Sequence, residues 1–457
     1  MGAGAAGMSA AVQFASQGGD VLVLEKGRDD KYLCNSRFTG GAMHICFRDP
    51  KSEPDVLRAA IEASTSGEAR PDMVEAIAQN AGRVLDWLRG QGMIFVKGGL
   101  EEYKRWVLAP LRPQRRGNLW HGRGGDVLLR ALEASLTGDG GTLRRGARVV
   151  DATRAGDGTW EITLDTDETL RARALLIADG GFQANPDMLR EHISPKPEML
   201  VQRGAATGNG DGLRIALRLG AATAGMGRFY GHVLIADALE RDDLWPYPWL
   251  DPIATTGIVV GADGHRFVNE TKGGVFVANA IARLENPGSA WVIFDQSIWN
   301  GPATIGVIPP NPNLVLAEVD MPHADTVQEL AELIGLPAEA VAETVAACNA
   351  ALADPSAADV APSRRGGTAK PMPLLHPPFR AFPLVAGITY TMGGIVIDGQ
   401  SRVLDEQGMP IPGLYAAGTA TGGLEGGPNG GYVGGLTKSV ATGLLAADHL
   451  IALRQTA

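Results

Sequence analysis

Three features of the sequence predict an α/β fold of Rossmann type, built from both ends of the chain, with an α+β domain inserted between the ends. Gly2-Ala3-Gly4-Ala5-Ala6-Gly7 opens the chain as a G-x-G-x-x-G loop running into a helical stretch. Val21-Leu22-Val23-Leu24-Glu25 follows as a continuous apolar run ending in an acid, the composition of a strand buried on both faces. Gly413-Leu414-Tyr415-Ala416-Ala417-Gly418 returns to the same strand-then-glycine style near the other end.

The elements follow in order. The first helix runs to about Gln17 and is closed by Gly18-Gly19. Residues 53–137 read mainly as helices, and within 71–89 the residues Met73, Ile77, Val84, Leu85 and Leu88 fall at helical spacing. Segments 147–155, 159–164 and 170–174 alternate like antiparallel strands. Residues 174–178 make another buried strand that ends in Asp179-Gly180-Gly181-Phe182. The style changes near residue 186. Residues 240–320 are rich in Trp and Pro, and 354–383, rich in Pro, Arg and Gly, reads as a connector. A strand at 395–398, the Gly413–Gly418 turn, a Gly-rich loop and a helix over 438–453 complete the chain. This assigns 1–225 and 385–457 to the nucleotide-binding domain and 226–384 to a capping domain. No internal repeat is evident.

Bulk properties narrow the function. A chain of 457 residues exceeds one ordinary core, so two domains are the natural expectation. Its 45% hydrophobic and 20% charged residues are those of an ordinary globular protein. A net charge of −10 argues against a nucleic-acid-binding surface. The 61 glycines cluster without a fixed period, as they do where backbone approaches a ligand. Cys34, Cys46 and Cys348 are too few and too scattered for a disulfide framework or an iron–sulfur set, which fits a reducing, cytoplasmic compartment. Neither a secretory signal nor an uninterrupted apolar run long enough to span a membrane is evident.

In the glycine loop, the first Gly permits a tight turn, the second lets backbone approach a pyrophosphate, and the third lets the helix pack on the strand. The helix N-terminus would face the phosphates, and Glu25 stands where an acid grips ribose hydroxyls. Met1 directly precedes the loop, so the strand that normally enters it, the first β-strand of the sheet, is missing from the sequence. The expectation is a reading frame about 5–20 residues short, from usual strand lengths, with weak cofactor retention as a consequence.

Further motifs extend the pattern. They are Asn35-Ser36-Arg37 leading into Gly40-Gly41, Ala178 to Phe182, Gly208-Asn209-Gly210-Asp211-Gly212, Arg266-Phe267-Val268-Asn269-Glu270, Thr391-Met392-Gly393-Gly394, and Ile411-Pro412 running into Gly413 to Gly418. With Gly2 to Gly7 and Glu25, they resemble the FAD-dependent fumarate reductase/succinate dehydrogenase flavoprotein superfamily, which includes 3-ketosteroid dehydrogenases and tricarballylate dehydrogenase. The resemblance covers nearly the whole chain. It implies a Rossmann-type FAD-binding domain, a cap closing over the flavin, hydride transfer between flavin N5 and a substrate carbon, and a side chain that moves a proton at the neighbouring carbon. FAD ligands carried over from the matching segments are Gly2, Gly4, Gly7, Glu25 and Lys26; Asn35, Ser36, Gly40 and Gly41; Val149, Ala178, Gly180, Gly181 and Asp211; and Gly418, Thr419, Gly435 and Leu436. Some members attach FAD through a His within the segment matching 36–41. Phe38 stands in that segment here, so noncovalent FAD is expected.

The same resemblance implies the catalytic candidates. His232 matches a substrate-binding His, with a purely structural His as the alternative. Thr271-Lys272-Gly273-Gly274 carries no Arg where fumarate reductases place their proton-shuttle Arg, Tyr390 replaces a His, and no Arg occurs near Asn429. The clamp for a dicarboxylate is therefore missing, because Arg holds carboxylates by paired hydrogen bonds. Gly430-Gly431-Tyr432-Val433-Gly434-Gly435 looks closer to tricarballylate dehydrogenase. Tyr390 and Tyr432 are candidates for acid/base or carbonyl-polarising work, or for simple packing. Lys272 could stabilise an enolate or sit solvated at the surface, and Arg37 and Glu425 are weaker candidates. The leading expectation is an FAD dehydrogenase or reductase of a carbon–carbon bond in a small organic acid. A ketosteroid-dehydrogenase-like enzyme for a bulkier ketone and a flavin electron-transfer protein without its own substrate are the alternatives. No haem motif, iron–sulfur ligand set or other metal site is evident, so electrons are expected to leave either through free FAD chemistry or through a separate redox partner protein.

Overall fold

The computed structural model describes residues 1–113, 120–354, 356 and 358–456. The apolar runs form parallel strands. Leu22–Glu25 pairs in parallel with Thr142–Arg145. Leu175–Ile177 pairs in parallel with Pro410–Ala416, which carries Arg402–Leu404 antiparallel on its other side. These two pieces meet across Met1 and Gly2. Gly2 N–H donates to Leu24 O at 2.8 Å, Ala178 N–H donates to Met1 O at 2.9 Å, and the Met1 amino group donates to Leu176 O at 2.6 Å. Met1 and Gly2 thus occupy the central place of the sheet, between strands that do not pair with one another.

The first helix, Ala5–Ala15, begins inside the glycine loop and ends short of Gln17. It lies against the last helix, Gly435–Thr456, at a distance only small residues allow, since a Cβ on Gly443 would collide with the Ala6 carbonyl. Among the described residues, Gly435–Thr456 is the one helix long and apolar enough to cross a membrane, and half of that stretch is buried inside the fold. The helix Pro71–Gly90 realises the predicted stripe. Pro71 opens it, Asp72 and Arg89 sit at the ends the helix dipole favours, and Met73, Ile77, Val84, Leu85 and Leu88 are buried. The predicted meander is present as Val149–Arg154, Trp160–Leu164 and Thr169–Ala172, antiparallel throughout.

The second large sheet is organised by one long strand, Phe379–Thr391. It pairs with Phe229–Ile235, Ala290–Phe294 and His323–Ala324 antiparallel, and with Leu200–Gln202 in parallel. Its side chains Ala381, Phe382, Leu384, Val385, Ala386 and Ile388 are completely buried. The connector expected over 354–383 therefore ends sooner, because its last residues already belong to this strand. Pro383 concealed it: proline cannot donate to a ladder and reads as a breaker. Pairing with Phe229–Ile235 begins only at Leu384, so the strand accommodates a proline where one flank is free of that partner. Beyond Thr391 the chain enters a small sheet in which Gly394–Val396 lies between Thr223–Ala224 and Thr421–Gly422. This sheet brings the Met-Gly-Gly turn beside the C-terminal glycine-rich loop.

Candidate active site

A crevice runs along the C-terminal ends of the parallel strands, where open α/β sheets bind ligands. It is lined by Gly2, Gly4, Glu25, Lys26, Val149, Ala178, Gly180, Asp211, Gly418 and Thr419, all predicted cofactor residues, and also by Asp179 and Gln183. Gly2 has φ +93°, and a Cβ there would lie 2.5 Å from Ala178 O. Gly7 is not on the wall. A Cβ on it would strike the Gly2 carbonyl, so it serves the close packing of helix on strand. Glu25 accepts Ala3 N–H at 3.0 Å and Gly27 N–H at 2.8 Å, which fixes its carboxylate on the crevice wall. Gly4 caps the first helix without a side chain, leaving the dipole end of the helix directed at the crevice. Asp179 Oδ1 and Gln183 Oε1 are buried with no hydrogen-bond partner among the described residues. Ala5 N–H donates to Ser36 Oγ at 2.9 Å, and the unsatisfied acceptors, the fixed carboxylate and a helix start whose Gly4 cap carries no side chain together fit the ribose hydroxyls and pyrophosphate of FAD. Lys26 and Asp211 are also engaged structurally: Lys26 Nζ donates to Thr207 O at 2.5 Å, and Asp211 is paired with Arg148 at 2.8 Å and Arg214 at 2.6 Å.

Asn35, Ser36, Thr419 and Ser439 line both this crevice and a larger cavity of about 1010 Å³, so the two are continuous. Gly40, Gly435 and Leu436 line the larger cavity, while Gly41 and Gly181 lie behind the walls, packed on Leu108 and Thr391. Phe38 is on the cavity wall.

The cavity gathers three tyrosines. Tyr230 and Tyr432 stack with centroids 4.0 Å apart, and Tyr390 lies 5.4 Å from Tyr230. Tyr230 and His232 lie on one strand two residues apart, and the Tyr230 hydroxyl is 3.2 Å from His232 Nε2. His232 Nδ1 is 2.5 Å from Asp251 Oδ2, and the other Asp251 oxygen accepts Val233 N–H at 2.8 Å. Burial pushes the imidazole pKa below its ordinary value against the opposing pull of Asp251. A neutral His232 then donates Nδ1–H to the carboxylate and accepts the Tyr230 proton at Nε2. Trp249 fixes the ring from one face, with centroids 3.7 Å apart. Tyr230, Asp251, Trp249 and the cavity-lining Arg112 and Arg203 were not singled out from the sequence. The i, i+2 relation to His232 on a strand was the available signal for Tyr230.

Tyr390 donates to Glu425 at 2.9 and 3.1 Å, and burial, followed by that carboxylate, raises its pKa well above the ordinary phenol range. Glu425 also pairs with Lys438 and accepts the N–H groups of Val433 (3.0 Å) and Gly434 (3.2 Å). The Tyr432 hydroxyl accepts Gly435 N–H at 3.2 Å, which leaves its own proton for another acceptor. Lys272 is exposed on the cavity rim, its ammonium 4.9 Å from the Phe276 ring. Arg37 is fully buried against Asp126, with its guanidinium 4.5 Å from the Tyr32 ring, and holds the Asn35–Phe38 turn rather than facing the cavity.

A family model described as an FAD binding domain matches residues 1–433. The NADH:fumarate oxidoreductase of Klebsiella pneumoniae (strain 342) is 25% identical over 444 residues, covering 93% of this chain and 44% of that protein. The chain thus spans less than half of that relative. The 4-oxocyclohexanecarboxylate 2-dehydrogenase of Sinomonas cyclohexanicum is 28% identical over 442 residues, covering 88% of this chain and 74% of that protein. The solved 3-ketosteroid-Δ4-(5α)-dehydrogenase of Rhodococcus jostii RHA1 has a TM-score of 0.71 at 23% identity, covering 98% of this chain and 94% of that one.

Proposed function

The chain belongs to the FAD binding domain family within the fumarate reductase/succinate dehydrogenase flavoprotein superfamily, and from that premise we propose that it oxidises or reduces the carbon–carbon bond beside a carbonyl or carboxyl group in a small organic acid. The observation that carries this reading is the Tyr230–His232–Asp251 chain, which opens onto the cavity continuous with the dinucleotide crevice. Bound FAD, held noncovalently, supplies the hydride acceptor or donor. The protein's own groups handle the proton. Tyr230 takes a proton from the substrate carbon next to the carbonyl while passing its phenolic proton to His232 Nε2, and Asp251 stabilises the imidazolium that results. The reverse sequence serves reduction. Tyr432 donates its free O–H to the substrate carbonyl and stabilises the charge that builds there. Tyr390 is held in place by Glu425, and Lys272 stands at the entrance. A separate redox protein exchanges electrons with the flavin.

The three phenols and the size of the cavity, with Phe38, Phe47, Leu111 and Ile308 on its walls, favour a second reading in which the substrate is a bulkier ketone. The two readings meet in a cyclic oxo-acid, and the Sinomonas relative is named for a compound carrying both groups. An electron-transfer role without a substrate would need a closed or purely apolar space, whereas this one presents phenols and guanidinium groups. Anaerobic addition of tricarballylate, succinate and a 3-ketosteroid to the FAD-loaded protein tests the proposal. Bleaching of the visible flavin band by one of them supports it. Tyr230→Phe should slow that bleaching about 100-fold or more, in line with loss of a general acid–base group. Equal rates in the wild type and Tyr230→Phe would remove Tyr230 from the mechanism.

A further inference from the structure

Arg203 follows the strand Leu200–Gln202, and Arg112 follows the strand Val107–Leu108; both line the large cavity. The Arg203 guanidinium meets Thr389 Oγ1 at 2.6 Å and the Trp249 ring at 5.4 Å, and among the described residues its buried Nε has no hydrogen-bond partner. Arg112 donates to Phe38 O at 2.6 Å and lies 5.2 Å from the Trp245 ring. Trp245 links the two, since its Nε1–H donates to Arg203 O at 3.3 Å. Among the described residues, neither guanidinium has a carboxylate within ion-pair distance. Asp251, a carboxylate whose charge acts on Arg203, is already committed to His232 and Val233. The pyrophosphate end of the crevice is lined by other residues and does not include these two. Two guanidinium groups that share a partly buried wall without counterions repel one another, and burial together with Arg203 pushes the Arg112 pKa down to about 10. Such a pair is relieved by an anion that enters the cavity.

We infer that Arg203 and Arg112 form the subsite for the carboxylate of the substrate, at the end of an aromatic wall whose other end is the Tyr230–Tyr432 stack. This rests on the proposed organic-acid reading and refines it. The wall runs from Tyr432 through Tyr230, His232 and Trp249 to Arg203, so the carboxylate is held beyond the Trp249 ring, at the opposite end of this row of contacts from Tyr432. The substrate class is then a ring-bearing or extended acid whose reacting carbons are separated from its carboxylate, rather than a short dicarboxylate.

Calorimetric titration of the FAD-loaded protein with cyclohexanecarboxylate and with cyclohexanecarboxamide tests this without turnover. The wild type should bind the carboxylate at least tenfold more tightly than the amide. Arg203→Gln and Arg112→Gln should each bring that ratio toward one while leaving amide affinity unchanged. A wild-type ratio near one would overturn the subsite. So would variants that hold FAD normally and keep the ratio, or an Arg203→Gln protein that loses FAD with the ratio intact, which would assign this cation to the cofactor. Should Arg203→Gln fail to fold, Arg112→Gln decides on the same criterion. Because binding is read directly, a carboxylate preference in a protein that no compound bleaches would uphold the subsite while the proposed reaction fails.

Discussion

His44 should set much of the acid limb of this protein's stability. It is 5% exposed, accepts Phe47 N–H at Nδ1 (3.2 Å), and is enclosed by the rings of Phe47, Tyr103 and Tyr432. Burial pushes its pKa from 6.5 down to about 4, against a smaller opposing pull from Glu425. The unfolded chain therefore binds a proton that the folded chain refuses. The contribution is complete above pH 6.5 and is lost as pH falls toward 4. At about 1.4 kcal/mol for each pH unit, the loss is about 2 kcal/mol at pH 5 and about 3 kcal/mol once both states are protonated. His44→Gln keeps an acceptor and cannot titrate. Urea denaturation followed by tryptophan fluorescence at pH 7.5 and pH 5 gives the stability change of each protein at matched FAD concentration. His232 acts in the same direction in both, so the comparison isolates His44. The variant should lose about 2 kcal/mol less than the wild type over this interval. Parallel losses would refute the reasoning and mean that His44 is solvated or paired when folded.

Two further outcomes follow from buried contacts. Glu425→Gln leaves Lys438 as an uncompensated cation where the side chains are 0% and 1% exposed, and should cost about 3–5 kcal/mol by chemical denaturation. Adding Lys438→Met should recover most of that loss, and a single variant within about 1 kcal/mol of wild type would contradict a buried pair. Gly7→Ala drives a methyl into the Gly2 carbonyl and should weaken FAD binding at least tenfold by equilibrium titration, whereas Gly90→Ala, with open space around it, should leave binding unchanged.

Much of the cofactor crevice is legible in the sequence because its parts are local. The turn at Gly2, the helix behind it and the acid at Glu25 fall within one strand-and-helix unit, where each residue's role depends on near neighbours. The antiparallel meander is likewise readable from alternation. The reacting end is harder. Tyr390 and His232 can be found from motifs that flank them, but Asp251, Arg112 and Arg203 stand in unremarkable local surroundings. They reach the cavity only through pairings between distant segments, such as Leu200–Gln202 against Phe379–Thr391. No arginine stands in residues 271–274 or beside Asn429 in the sequence, yet the cavity does not lack guanidinium groups. The fold delivers them from other strands. Pro383 hid a central strand for a related reason, since whether a missing N–H matters depends on which neighbour lies alongside.

The long strand Phe379–Thr391 also bears on how such enzymes could diversify. Within its final residues, Thr389 O receives the Asn35 side chain, Thr389 Oγ1 holds Arg203, Tyr390 meets Glu425, and Thr391 Oγ1 accepts Phe182 N–H. A division of the chain at 384/385 cuts through this strand. A graft exchanging residues 226–384 for those of a relative would therefore either carry foreign contacts to the dinucleotide crevice or keep native ones against a foreign sheet. The contacts of both cavities hang on one strand, and recombination that respects the fold must move the whole strand with its partners.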